Sequence, residues 1–79
     1  MNTSQKFGKR IKIERIMRNW TMEYLAEKAN LGTATIGNIE SGSSSPTLDT
    51  IEKLANGLGF KIHELLIFDD LEKFTQKSK

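Results

Sequence analysis

His63 stands alone in this chain of 79 residues, which has no second histidine and no cysteine. A histidine cluster for a metal or a proton relay is therefore missing. Thiolate zinc sites, thiol nucleophiles and disulfides are excluded by the same count. No nucleophile and base can be paired from what is left, so the sequence predicts a protein that is not an enzyme and needs no cofactor, no metal and no small-molecule ligand. His63 itself reads as an exposed helix residue. The chemistry that remains is hydrogen bonding and charge. From Met1 to Asn19 six cations (Lys6, Lys9, Arg10, Lys12, Arg15 and Arg18) face Glu14 alone, a balance of +5. Between Trp20 and Glu72 three cations meet nine acids, a balance of −6, and the last seven residues add +3. A basic end on a chain of net charge +2 permits contact with a polyanion without requiring it.

The length bounds the fold to one small domain. A hydrophobic fraction of 37% with one proline and six glycines is globular in character. No apolar run approaches a membrane span and no signal-peptide core follows the N-terminus, so the expected setting is the cytoplasm. Strand periodicity is absent, and the punctuation divides the chain into five helical segments. Thr3 or Ser4 can cap a first helix running to about Asn19, with Phe7, Ile11 and Arg15 along one face. Thr21 caps a short second helix with Leu25 and Ala26 inward, and Asn30 suits the left-handed residue that ends it. Gly32 opens a third helix that ends near Ser41-Gly42. After the loop Ser43-Ser44-Ser45-Pro46, Thr47 caps a fourth helix through Leu48, Ile51, Leu54, Ala55 and Leu58, closed by Gly57 and Gly59. Phe60-Lys61-Ile62 leads into a fifth.

The join between the second and third helices is the most informative stretch. Two short helices linked by about four residues, with Ala26 small at the crossing and Leu31 apolar in the turn, must meet steeply. Ile36 and Ile39 then fill the angle. This is the pattern of a helix-turn-helix, whose second helix projects outward and can enter a major groove. It fits equally an ordinary corner between helices of a small bundle.

The run from Thr21 to Leu31 (TMEYLAEKANL) resembles the first half of the Cro/repressor-type (XRE-like) helix-turn-helix, and Thr35 to Gly42 (TIGNIESG) resembles its second half. Ser45-Pro46-Thr47-Leu48, Leu54-Ala55, Leu58-Gly59 and Glu64-Leu65-Leu66 are similar to the family's later landmarks, so the likeness spans about Phe7 to Leu66. It implies an all-α, five-helix, lambda-repressor-like domain over residues 6–67, preceded by an arm at 1–5 and followed by a helical extension and tail at 68–79. It also implies a regulator that binds double-stranded operator DNA as a homodimer. In the family, an arginine of the first helix pairs with a glutamate ending the third, and Arg15 and Glu40 occupy those positions.

By the same resemblance Thr33, Ala34, Gly37 and Asn38 face base edges. None is basic or long, so direct readout is expected to be weak, with Thr33 and Asn38 able to hydrogen-bond and Thr33 and Ala34 able to meet a thymine methyl. Phosphate contacts are expected from Thr21, Arg10, Ser41, Ser43, Ser44 and Ser45, with Lys6 and Lys9 adding charge. Two positions depart from the family: Met22 replaces a frequent glutamine, and Glu14 replaces an apolar residue. Ile13, Ile16, Met17 and Trp20 make a second apolar stripe on the first helix, of which Trp20 is expected to fill the core. Beyond it, Ile67, Leu71 and Phe74 at helical spacing are the expected dimer surface. Without an effector domain, such a chain would be governed by its own concentration, as phage repressors and restriction-modification controllers are. The competing reading is a protein-interaction or antitoxin-like module that keeps the fold.

Overall fold

In a computed structural model, which describes residues 1–67, the order of elements is α1 (Thr3–Met17), α2 (Met22–Ala29), α3 (Thr33–Ser41), α4 (Leu48–Leu58) and α5 (Ile62–Leu65). No strand occurs among the described residues. The expected all-α architecture is what forms. Most boundaries follow from local chemistry. Thr21 Oγ1 accepts the Tyr24 N–H at 3.0 Å, and Thr47 Oγ1 accepts that of Thr50 at 3.2 Å, which fixes the starts of α2 and α4. Asn30, Gly42 and Gly59 end α2, α3 and α4 with φ of 57°, 76° and 84°.

Three boundaries differ from the sequence reading. The cap of α1 is Asn2, whose Oδ1 accepts the Gln5 N–H at 2.8 Å while Gln5 Oε1 accepts the Asn2 N–H at 2.9 Å. That reciprocal box outcompetes the hydroxyls of Thr3 and Ser4, so helix begins inside the segment read as an arm. At its other end α1 stops at Met17, because Asn19 takes a left-handed φ of 58° and turns the chain. Gly57 does not close α4 but lies within it. A Cβ at that position would stand 3.0 Å from the backbone of Ala29, so the bare residue lets α4 press on the end of α2.

The core is one cluster: Phe7 and Ile11 from α1, Leu25, Ala26 and Ala29 from α2, Ile36 and Ile39 from α3, Leu54, Ala55 and Leu58 from α4, and Leu65 from α5. Trp20, Leu31, Ile51 and Phe60 pack against it while partly buried. Leu31 donates its N–H to the Ala26 carbonyl at 2.8 Å, which draws the turn between α2 and α3 tight. Leu48 departs from the expectation at 78% exposure: it is in line with Ile51 and Ala55 but stands at the first position of α4, past the buried cluster. α1 and α3 come close together at Gly8. A side chain at Gly8 would run into the carbonyl oxygen of Ile39, so a glycine here sets how near the third helix can come.

Candidate nucleic-acid interface

α3 is held from one side only. Ile36 and Ile39 are fully buried, whereas Thr33, Ala34, Thr35 and Asn38 are exposed and Gly37 is half-exposed. The four residues expected to face bases thus share the outward side of this helix, and Thr35 joins them. Its exposure was hidden from pattern reading because a threonine beside Ile36 fits either face. At the start of α2, Met22 is half-buried, with its sulfur 3.9 Å from where a Cβ on Gly37 would lie.

The inner end of α3 is fixed by charge. Arg15 Nε donates to Glu40 Oε2 at 2.7 Å and Nη2 donates to Oε1 at 3.0 Å, a two-pronged contact between α1 and α3. The side chains are 12% and 3% exposed. Arg15 Nη1 also donates to the Trp20 carbonyl at 2.8 Å, so one guanidinium joins α1, the turn after it and α3. The hydrogen bond to Glu40 raises the pKa of Arg15 above its ordinary value against the opposing pull of burial, and keeps the guanidinium charged.

The residues assigned to phosphate contact divide. Thr21 is exposed and uses its oxygen to cap α2, which leaves the hydroxyl hydrogen to donate. Ser44 is exposed, and so is Ser45, whose hydroxyl lies 2.8 Å from that of Ser4. The hydroxyls of Ser41 and Ser43, 2.9 Å apart, both reach the Asn38 carbonyl, at 3.1 and 3.2 Å, and so serve the end of α3. Arg10 is turned away. Its Nε donates to Glu14 Oε2 at 2.9 Å, its guanidinium lies 5.2 Å from the Phe60 ring centroid, and its side chain is 11% exposed.

Glu14 explains that placement. It also pairs with Arg18 Nη1 at 2.7 Å, and Arg18 Nη2 donates to the Leu58 carbonyl at 2.9 Å, capping the end of α4. Arg18 stacks near both Trp20 and Phe60, at 5.6 and 5.5 Å from their centroids. The acid at a family-apolar position is thus the centre of an arginine–glutamate–arginine ladder. The spacing of four was visible in the sequence, but nothing local told that both arginines fold inward onto Phe60. Of the residues assigned to a dimer surface, Ile67 is exposed, and Leu71 and Phe74 lie outside the described residues. Among the described residues there is no group of histidine, cysteine or acidic side chains placed to hold a metal, and no helix long and apolar enough to cross a membrane.

The sequence profile of the helix-turn-helix family matches residues 11–65, which contain the whole of α2, α3 and α4. The chain belongs to the helix-turn-helix family of DNA-binding transcription regulators. Among its relatives, the immunity repressor of Bacillus phage phi105 is 35% identical over 91% of this chain and 54% of the repressor, so the chain spans about half of that protein. The control protein C.BamHI of Bacillus amyloliquefaciens is 33% identical over 90% of this chain and 89% of its own length. In three dimensions the restriction-modification controller protein C.AhdI from Aeromonas hydrophila superposes with a TM-score of 0.75 at 32% identity, covering 78% of this chain and 94% of the controller. Within the family's frame, α2 and α3 are the paired helices and α3 is the outward one.

Proposed function

We propose that the chain binds operator DNA as a homodimer, in the manner of a phage repressor or a restriction-modification controller, with α3 of each copy in the major groove. One observation carries this reading: the outward side chains of α3 serve no purpose in the core, while its inner side is fixed by Ile36, Ile39 and the Arg15–Glu40 contact. Thr33, Ala34, Gly37 and Asn38 then meet base edges, and Thr21, Ser44 and Ser45 donate to phosphates, with Lys9 adding charge. Ile62, Leu66 and Ile67 are each partly exposed and make an apolar end on which two copies can close; the sequence offers Leu71 and Phe74, outside the described residues, to the same contact. Such a regulator works in the cytoplasm, where its DNA lies.

Two copies related by a two-fold axis should contact half-sites about 34 Å apart on one face of the duplex. Titrating a selected duplex and a scrambled one at two salt concentrations tests the proposal. The expected result is a roughly palindromic preference with steep salt dependence. Failure of the folded dimer to bind any duplex from a broad selection would overturn it. For self-association, changing Leu71 and Phe74 together to Ser should weaken the dimer in sedimentation at several concentrations, with helicity retained.

A second reading, a protein-interaction module, is favoured by α1. Ile13, Ile16 and Met17 are 44%, 52% and 70% exposed, and Ile13 and Ile16 border a groove with Lys9 and Lys12. It becomes the leading reading if DNA binding fails.

A further inference from the structure

The outward surface of α3 carries no charged side chain. From Thr33 to Ser41 the one charged side chain is Glu40, and Arg15 occupies both of its oxygens. Thr33 and Ala34 are neighbours on the exposed side, and the half-exposed Gly37 follows them one helical turn on. Gly37 contributes bare backbone, and the sulfur of Met22 stands 3.9 Å from the position its Cβ would take. The methyl groups of Thr33 and Ala34 and the thioether of Met22, which is half-buried and also packs against the core, therefore make one apolar step, with Asn38 beside it as the amide.

Each base shows a different group in the major groove. Guanine is read by arginine or lysine, adenine by asparagine or glutamine, and cytosine by a carboxylate. Thymine alone presents an apolar group, its C5 methyl. The apolar step has a match only there. Resting on the operator-binding reading above, we infer that thymine C5-methyl groups are the main sequence-discriminating contacts of this regulator. Met22 is then a specificity-determining residue alongside Thr33 and Ala34, acting across Gly37. The position that departs from the family's usual glutamine acquires a role in selection, one that an amide at the same place would not perform.

Deoxyuridine differs from thymidine in the major groove by that methyl group alone, so it is the probe. Starting from a duplex enriched by selection, thymidines of each half-site are replaced singly and then together, and binding is titrated at fixed salt. Each thymidine facing α3 should weaken binding about fourfold when its methyl is removed, the value of one buried carbon, and flanking thymidines should change nothing. Met22→Ala, checked for an unchanged denaturation midpoint, should lose the deoxyuridine effect at one position per half-site. Full affinity for the wholly substituted duplex, with the scrambled duplex still rejected, would overturn the inference and leave operator binding standing. Undiminished sensitivity of Met22→Ala at every position would remove Met22 from the readout. Absence of binding to every selected duplex would overturn the operator reading, and this inference with it.

Discussion

Two arginine clusters flank α1, and they do different work. Arg15 reaches across to Glu40, 25 positions away in the chain, and joins two helices. Arg10 in α1 and Arg18 at its C-cap close locally on Glu14, and their far sides meet Phe60, Trp20 and the Leu58 carbonyl. The first cluster positions α3, whereas the second seals the junction of α1 with the end of α4. Charge on one helix thus splits into a tertiary clamp and a local ladder according to which way each side chain can find a partner out of water.

The largest expected effect comes from breaking the clamp. Arg15→Ala or Glu40→Ala should each cost about 3–5 kcal/mol, since the remaining charge would be buried without a partner. The double substitution should cost far less than the sum of the two, as read from urea midpoints in a double-mutant cycle. Additive losses below a kilocalorie would show that the clamp carries nothing. The raised pKa of Arg15 sets the pH behaviour. Its contribution is complete below the ordinary arginine value and is lost only as pH rises through the higher folded value, so mildly alkaline buffers should leave it intact.

Breaking the ladder should come second. Glu14→Ala strands two partly exposed cations and should lower stability by about 1–3 kcal/mol, checked by the same denaturant series. Arg10→Ala sharpens the comparison with the smallest effect. It removes one i, i+4 pair and one stacked guanidinium, together about 1 kcal/mol. Because Arg10 is folded over Phe60, the salt dependence of DNA binding should keep its slope in this variant. A shallower slope by about one unit would return Arg10 to the phosphate backbone.

These clusters also mark where the sequence was legible. Helix number, the caps at Thr21 and Thr47, the left-handed Asn30 and the core stripe of α2 through α4 follow from spacing and turn chemistry, because those choices are made within a few residues. The meeting of Arg15 and Glu40 came from their place on two apolar faces together with the family likeness. The ladder did not emerge, although arginine, glutamate and arginine stand four apart. An i, i+4 pair looks the same on a solvated face as on a buried one, and the inward turn depends on Phe60, about fifty residues beyond Arg10. The Asn2 cap was obscured for a simpler reason: three consecutive residues can all cap a helix, and the glutamine that selects among them acts by reciprocity. Gly8 gave no signal of its own, since a glycine inside a helix declares its reason only once the backbone it approaches is known.

That close approach at Gly8 has an evolutionary consequence. α3 is anchored by its inner residues to a wall that tolerates no side chain, while Thr33, Ala34, Gly37 and Asn38 support nothing behind them. Substitutions at the outward positions should therefore be nearly free of stability cost, within about half a kilocalorie. A lineage carrying this scaffold can drift from one operator to another through single changes, each leaving a folded intermediate.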